Sequence, residues 1–259
     1  MAPELEAELR SSTPWMYEWR LTRDVTAPAQ GPELQSVHDT RLVTMSHVVR
    51  RALAAAGPRA AVLDLGCNEG WFAHRLLEWG AGRVLGVDVR AINVRRARLV
   101  RDHFGISAER CEFVEASVYD LTPERLGTFD VVLVLGLIYH LENPVGALRV
   151  ARSLAGGLAV VESQLTAQEA PIRVGTGQTG QFDELTANWA ALQEPLHEQR
   201  DDGNMLSSYG GVLSLIPNRA ALVQALEVAG FREVRMLEVP PGLNRQYVDG
   251  HRGIAVGWA

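Results

Sequence analysis

The chain has 259 residues, of which 47% are hydrophobic and 22% charged, as expected for one large α/β domain or a domain with an insertion. Its formal net charge of −6 argues against a protein that mainly binds nucleic acid, although a local basic patch is compatible with that charge. No apolar run is long enough to span a membrane, the N-terminus is too acidic for a signal peptide, and two cysteines form no disulfide framework. We therefore expect a cytoplasmic protein without membrane association.

All 25 basic residues are arginine. The absence of lysine excludes a Walker P-loop and a Schiff base with pyridoxal phosphate, because both need a lysine amine. The sequence carries no indication of the oligomeric state.

The predicted elements begin with an N-terminal helical extension over residues 1–57, whose clearest helix covers 36–57. Short β-rich runs then alternate with segments whose apolar residues have helical spacing. Strands are predicted at 60–66, 83–89, 111–116, 130–136 and 158–164, and the intervening helices at 69–80, 90–105 and 143–157. Continuous apolar strands that alternate with helices indicate a parallel sheet covered on both faces.

After the fifth strand the alternation stops, and we expect an inserted lid over about residues 165–216 with a possible helix at 182–199. A capped helix at 216–231 and strands at 232–239 and 252–259 follow. The predicted fold is a seven-stranded, mostly parallel Rossmann-like α/β sheet with helices on both faces, an N-terminal helical cap and the lid. Residues 58–259 form its main domain.

The sequence VLDLGCNEGWF places Gly66 and Gly70 in the turn between the first strand and the next helix. Glycines there let backbone N–H groups approach a ligand, although the same spacing is also typical of a tight turn without a ligand. Asp64 ends the first strand, and Asp88 lies near the end of the second, where a carboxylate can accept both hydroxyls of a ribose. The two acids favour a nucleotide-type cofactor.

Asn68 and Glu69 occupy the middle of this turn, where dinucleotide-binding enzymes prefer further glycines. The turn is therefore less open and carries an acidic side chain. This composition favours a ligand that has a ribose but no phosphate.

Four segments, LDLGCNEG, GVDV, VEASVYDL and FDVVLVLGLIYHL, resemble in order the motifs of S-adenosylmethionine-dependent methyltransferases of Rossmann-like fold. The resemblance covers residues 58–163 and continues more weakly through 217–259. It implies that the turn holds the methionine portion of S-adenosylmethionine, that Asp88 binds the ribose, and that Ser117 and Val118 border the adenine. Cofactor contacts are therefore expected from Asp64, Gly66, Asn68, Gly70, Asp88, Ser117 and Val118.

The stretch LVLGLIYHLENP ends a buried strand in Tyr139 and His140. Ligands of open parallel sheets bind at the carboxyl ends of the strands, so both side chains are expected to face the transferable methyl group. His140 is then either a general base for the acceptor or a structural histidine that caps a loop. Glu162, near the end of the fifth strand, is a second candidate base or a partner of the lid.

A narrower resemblance joins GLIYHLENP, VVESQL and YGGVLSLIPNRAALVQALEVAGF to the tRNA wobble-uridine carboxymethyltransferases, which use a carboxylated S-adenosylmethionine. It implies cofactor contacts by Leu135 and Tyr139, and places Arg252 on an arginine associated with the extra carboxylate. The N-terminal lysines of that family are absent here, and Arg41 lies near the place of its tryptophan. We expect ordinary S-adenosylmethionine, with Arg41 either reaching the methionine carboxylate or lying on the surface.

One predicted helix carries five arginines that could contact RNA: Arg90, Arg95, Arg96, Arg98 and Arg101. Arg95, Arg98 and Arg101 are three positions apart and are expected to form a solvated helix face instead. The aromatic residues Trp15, Tyr17 and Trp19 either pack the N-terminal extension onto the core or form a roof over the substrate.

Within the predicted lid, Gly175, Gly177 and Gly180 indicate a segment whose closure excludes water. His197, Asp201 and Asp202 could join Glu162 in a metal site, but their spacing matches no ligand pattern, so no metal is expected.

These observations predict a methyltransferase that uses S-adenosylmethionine and methylates a small-molecule acceptor, at oxygen in preference to nitrogen. The alternative is a tRNA-modifying methyltransferase or carboxymethyltransferase acting on the wobble uridine. The predicted catalytic residues are His140 and Glu162. The predicted cofactor contacts are Arg41, Asp64, Gly66, Asn68, Gly70, Asp88, Ser117, Val118, Leu135 and Tyr139.

Overall fold

The computed structural model describes residues 1–11, 15–167, 169–175, 182–193, 208 and 213–259. The strands of the described part are β1 (Trp19–Arg20), β2 (Thr26–Ala27), β3 (Ala61–Leu65), β4 (Arg83–Asp88), β5 (Cys111–Glu115), β6 (Phe129–Leu135), β7 (Ala155–Gln164), β8 (Ile172–Gly175), β9 (Phe182–Leu185), β10 (Trp189–Gln193), β11 (Leu213–Pro217), β12 (Arg232–Met236) and β13 (Arg252–Trp258). The helices are α1 (Pro3–Arg10), α2 (Pro32–Ala56), α3 (Trp71–Glu78), α4 (Ala91–His103), α5 (Pro123–Leu126), α6 (Pro144–Leu154), α7 (Arg219–Ala229) and α8 (Arg245–Val248).

Seven strands form the central sheet in the order β12–β13–β7–β6–β3–β4–β5. The five strands from β3 to β7 are mutually parallel, whereas β13 runs antiparallel to both of its neighbours. All seven predicted strands are present, so the predicted fold class is confirmed.

Apolar side chains cover both faces of this sheet in alternation. Val62 and Val84 belong to a core shared with α2, α3 and α4, whereas Leu63 and Leu85 belong to a core shared with α6 and α7. Successive residues of a strand point to opposite faces, so a strand buried on both faces must be apolar at nearly every position. This is why these strands are continuous apolar runs in the sequence.

The N-terminal region contains the helices α1 and α2 together with the short antiparallel pair β1–β2. Helix α2 packs against β6, β7 and β13 and so lies over the middle of the sheet. No helix among the described residues is long and apolar enough to cross a membrane.

The predicted helix at 182–199 is wrong over the described residues, because 182–185 and 189–193 are the strands β9 and β10. Leu185, Trp189 and Leu192 have helical spacing, but β10 pairs with the distant strand β11. The spacing of apolar residues within one short segment carries no information about a strand that pairs with it from elsewhere in the chain. The strands β8 and β9 form a separate antiparallel pair. The residues Gly177, Gly180, His197, Asp201 and Asp202 lie outside the described ranges.

Strand β3 begins the parallel part of the sheet, and the chain then adds β4 and β5 on one side and β6 and β7 on the other. The strand order therefore reverses between β3 and β6. Ligands of open α/β sheets bind at the carboxyl ends of the strands beside such a reversal.

Candidate active site

A cavity of about 380 Å³ lies at this edge of the sheet. Its walls include the ends of β4 and β7, the segments that follow β3 and β6, the first residue of β13 and one face of α2. Seven of the predicted site residues line the cavity: Arg41, Gly66, Asn68, Asp88, Leu135, Tyr139 and His140. Three of the four sequence motifs therefore contribute residues to one cavity.

Asp88 forms the wall at the end of β4. Its Oδ2 accepts a hydrogen bond from the backbone N–H of Asn68 at 2.9 Å, and its Oδ1 accepts from Arg90 N at 2.9 Å and Asn93 Nδ2 at 3.1 Å. Burial raises the pKa of Asp88, while these donors and the Arg90 charge oppose the rise. Three fixed donors hold the carboxylate at the cavity wall.

The turn after β3 divides its residues between the cavity and the core. Gly66 and Asn68 line the cavity, whereas Gly70 begins α3 away from it, with a positive φ of 78°. A Cβ at Gly70 would lie 2.5 Å from Cζ of Phe113. Gly70 is therefore required for helix packing, and the structure does not place it in the cavity wall.

Glu69 points away from the cavity and is fully buried. Its carboxylate accepts hydrogen bonds from Met16 N at 3.1 and 3.0 Å and from Tyr17 N at 3.4 Å, and pairs with Arg96 Nη1 at 3.0 Å. The acidic residue of the turn thus contacts the N-terminal segment.

The other end of the cavity is built around Glu162, whose side chain is 0% exposed. Its Oε2 lies 2.6 Å from Arg41 Nη2, and its Oε1 lies 3.0 Å from Arg252 Nη1 and accepts from Tyr247 Oη at 2.8 Å. Burial raises the pKa of Glu162, but the guanidinium groups of Arg41 and Arg252 outweigh burial and hold that pKa below its usual value. These contacts argue against the predicted role as a base, because a carboxylate stabilised by two cations binds a proton weakly.

Arg41 extends from α2 over the end of β6. Gly136 has a positive φ of 72°, and a Cβ there would lie 2.7 Å from Arg41 Nη2, so a side chain at this position would be strained and would displace the guanidinium. Arg41 Nη1 also lies 3.2 Å from Nδ1 of His38. Since a guanidinium only donates, Nδ1 accepts and the imidazole proton is on Nε2. Burial and the neighbouring arginines lower the pKa of His38 well below its usual value, so His38 is neutral.

Tyr139 and His140 form one turn after β6, with their ring centroids 4.3 Å apart. Nδ1 of His140 lies 3.2 Å from Oγ of Ser208, which in turn lies 2.9 Å from Oγ of Ser214. The Arg252 guanidinium lies 5.6 Å from the centre of the Tyr139 ring. The aromatic pair predicted from the sequence thus faces the cavity beside Arg252.

The other predicted site residues, which include Asp64, Ser117 and Val118, do not line the cavity. Asp64 is 2% exposed, and its Oδ2 has no hydrogen-bond partner among the described residues. Burial and the nearby Asp88 raise the pKa of Asp64 to about 7, against the charge of Arg41. Ser117 accepts a hydrogen bond from Tyr119 N at 3.3 Å and caps the short turn that contains Val118.

Sequence reasoning missed His38, Tyr247 and Gln164. His38 precedes Arg41 by three positions on a predicted helix, so helical spacing could have placed the two on one face. Gln164 is the register partner of Arg252 across β7 and β13, a relation that requires the sheet. Tyr247 follows an irregular segment, and no sequence signal identifies it.

Two further predictions concern the arginines of α4 and the N-terminal aromatic residues. Arg95 and Arg98 are exposed, as predicted for the solvated face, and Arg101 is partly exposed, whereas Arg96, which was not assigned to that face, is fully buried. The aromatic residues Trp15, Tyr17 and Trp19 are all buried in the core, and Tyr17 also lines the cavity.

Comparison with known proteins agrees with this geometry. A family model described as a methyltransferase domain matches residues 37–235, and the chain therefore belongs to that family. The chain superposes with a TM-score of 0.69 on the N-terminal domain of EvdMO1 with SAH bound, at 22% identity and covering 99% of this chain and 96% of that one. Magnesium protoporphyrin IX methyltransferase from Synechocystis PCC 6803 with bound SAH gives a TM-score of 0.55 at 18% identity, covering 92% and 91%.

Two groups of named relatives match in sequence. A ubiquinone biosynthesis O-methyltransferase of Xanthomonas campestris pv. campestris is 32% identical over 126 residues, which are 49% of each chain. A tRNA U34 carboxymethyltransferase of Idiomarina loihiensis is 34% identical over 105 residues, 39% of this chain and 32% of that protein. The chain spans about half the length of the first of these relatives, and less of the second.

The fold, the site and the family together define an S-adenosylmethionine-dependent methyltransferase domain, as predicted. The chemistry of the cavity fits this cofactor. Asp88 presents a carboxylate, Arg41 a guanidinium, and Asp64 a buried oxygen that has no partner in the described part of the chain. The cofactor carries ribose hydroxyls, a carboxylate and an ammonium group that can pair with these.

Proposed function

We propose that this protein transfers a methyl group from S-adenosylmethionine to an oxygen atom of a small-molecule acceptor. The observation that carries the proposal is that His140 lines the same cavity as Asp88, Gly66 and Arg41. A potential proton acceptor and a potential cofactor site therefore share one cavity.

In this proposal the residues at the ends of β3 and β4 would hold the cofactor. Asp88 accepts hydrogen bonds from the ribose, the backbone near Gly66 contacts the methionine portion, and Arg41 pairs with the methionine carboxylate. Asp64 receives the ammonium group, which supplies the buried oxygen with a donor. When bound, the cofactor supplies an electrophilic methyl group on a sulfonium.

His140 then acts on the acceptor. With S-adenosylmethionine bound, Nε2 of His140 would take the proton of the acceptor hydroxyl as that oxygen is methylated. In that tautomer Nδ1 donates to Ser208 Oγ, 3.2 Å away, and this bond orients the ring. Much of the rate enhancement comes from positioning, because the sulfonium is already a good leaving group.

Glu162 acts in this scheme as a positioning residue. Its carboxylate holds Arg41 and Arg252 at 2.6 and 3.0 Å, so both guanidinium groups stay fixed at the end of the cavity formed by β7 and β13. A fixed Arg41 binds the methionine carboxylate without first losing rotamer freedom.

One group of relatives supports the preference for methylation at oxygen. The ubiquinone biosynthesis O-methyltransferase of Xanthomonas campestris matches about half of this chain and is named for methylation at oxygen. A protonated hydroxyl also needs a base, which His140 can provide.

The proposal is tested by supplying S-adenosylmethionine with a ¹³C-labelled methyl group, together with a panel of phenolic and alcoholic small molecules. A labelled O-methyl product, identified by mass spectrometry and NMR, is the expected result. His140→Ala should lower kcat by roughly 10²–10⁴-fold with little change in cofactor affinity. The matched control is His47→Ala, since His47 is exposed on α2. A decrease in kcat of less than tenfold would indicate that His140 has a structural role and is not the base.

A second candidate function is carboxymethyl transfer to the wobble uridine of tRNA. One observation favours it: Arg252 lies over the Tyr139 ring in the cavity wall, where the two can bind an additional carboxylate on the cofactor. The mass of the small molecule that co-purifies with the protein separates the two candidates. A carboxylated cofactor, followed by modification of unmodified tRNA in the same assay, would favour the second.

A further inference from the structure

The feature that the proposed chemistry leaves unused is Glu69. It stands in the middle of the turn proposed to hold the cofactor, yet its carboxylate contacts the backbone N–H groups of Met16 and Tyr17. The side chains of Met16 and Tyr17 line the cavity. Glu69 therefore joins the turn after β3, on one side of the cavity, to the segment that carries Met16 and Tyr17 on the other. We call this second side the roof of the cavity.

The roof is fixed by more than one contact. The Tyr17 ring stacks on the Trp71 ring at the start of α3, with centroids 5.5 Å apart and planes within 4°. The guanidinium of Arg96, which pairs with Glu69, lies 4.8 Å from the centre of the Trp15 ring. We call residues 15–17 the roof segment.

Tyr17 brings a polar group to this roof. Its hydroxyl has no hydrogen-bond partner in the described part of the chain. Burial raises the pKa of Tyr17 well above its usual value, and although Arg41 opposes the rise, the phenol remains protonated and can donate. The charges that act on it include Arg41 and Asp64, the two groups proposed to bind the methionine end.

We propose that Glu69 holds the roof segment closed over the methionine end of the bound cofactor, with the Tyr17 hydroxyl donating a hydrogen bond to it. Cofactor release then requires the contacts of Glu69 with Met16 and Tyr17 to open. Glu69 is a positioning residue in this account, and Tyr17 is a cofactor-binding residue. The inference rests on the cofactor placement proposed above.

The closed roof explains why an acid occupies this turn. A glycine at position 69 would open the turn further, but the backbone N–H groups of Met16 and Tyr17 would lose a buried acceptor. An acid there fixes the roof to the same turn that contacts the cofactor. Cofactor binding and closure of the roof segment are therefore coupled through the turn that contains Glu69.

The test measures the dissociation rate of S-adenosylhomocysteine by stopped-flow tryptophan fluorescence, in variants that separate closure from folding. Glu69→Gln should release the ligand at least tenfold faster, and Tyr17→Phe should weaken its affinity about three- to tenfold, the range for one hydrogen bond. The matched control is Glu8→Gln. Glu8 pairs with the same Arg96 at 2.9 Å, but the variant leaves Met16 and Tyr17 bonded to Glu69. It should lower the melting temperature without faster release.

Hydrogen exchange at Met16 and Tyr17 gives a readout independent of the variants. Added ligand should slow exchange of both amides in the wild-type protein. Unchanged exchange would overturn the proposal, as would equal dissociation rates in Glu69→Gln and Glu8→Gln. If Glu69→Gln fails to fold, Tyr17→Phe and the exchange data decide the question. Failure of Asp88→Ala to weaken ligand binding would instead show that the cofactor placement is wrong.

Discussion

The two ends of the cavity are built in different ways. The end at β3 and β4 is local in sequence: the bond from Asn68 N to Asp88 joins residues 20 positions apart. The end at β7 and β13 is assembled from distant elements, since Arg41 and Glu162 are 121 positions apart and Glu162 and Arg252 are 90 apart. A local motif can be recognised in the sequence, whereas the charged cluster exists only after the sheet has formed.

The two ends also differ in how they hold charge. Backbone N–H groups and an amide fix Asp88, so that end consists mainly of a carboxylate solvated by neutral donors. At the other end two guanidinium groups share the carboxylate of Glu162 in the protein interior. Substitutions at the first end should therefore change ligand affinity, and those at the second should change stability most.

The largest effect is expected for Glu162→Gln. Arg41 and Arg252 would remain buried, with side chains 6% and 9% exposed, after losing their anion. Breaking a buried ion pair by removing one partner costs about 3–5 kcal/mol. Guanidinium-induced unfolding of the ligand-free protein measures the loss.

The control for that measurement is Tyr247→Phe, which removes one hydrogen bond to the same carboxylate and should cost only about 0.5–1.5 kcal/mol. If both variants lost the same small free energy of unfolding, the charged cluster around Glu162 would not be what stabilises this end of the cavity.

An intermediate effect is expected for Asp88→Ala, which tests the other end. Loss of a charged partner for the ribose should weaken S-adenosylhomocysteine binding by about 1–3 kcal/mol, measured by calorimetry. Asp120→Ala is the matched control, because Asp120 is exposed and does not line the cavity. Equal affinities of the two variants would contradict the ribose assignment.

The same contrast explains which parts of the molecule were predictable. Short β-rich runs indicated all seven strands of the sheet, and the order of the motifs placed Gly66, Asp88 and His140 at one edge. The contacts of Glu162 were not predictable, because its partners lie on α2, α8 and β13 and meet only through tertiary packing. Glu69 shows the same limit within the motif itself, since its backbone partners Met16 and Tyr17 lie more than 50 positions away.

The smallest expected effect is a pH dependence of binding through Asp64. Its pKa in the ligand-free protein is raised to about 7 by burial and by Asp88. An ammonium group of the ligand stabilises the ionised form, so binding lowers this pKa and releases a proton. Affinity for S-adenosylhomocysteine should therefore rise as the pH increases through 7, by up to about tenfold between pH 6 and pH 8.

Calorimetry in two buffers of different ionisation enthalpy counts the proton directly. The wild-type protein should release a proton on binding near pH 6.5. In Asp64→Asn the release should disappear and the affinity should become nearly flat between pH 6 and pH 8. Proton uptake, or the same pH dependence in the variant, would contradict the pairing of Asp64 with the ammonium group. Because Asp64 and Asp88 influence each other, Asp88→Asn should also move the midpoint of the wild-type curve to lower pH, since removing a neighbouring negative charge lowers the pKa of Asp64.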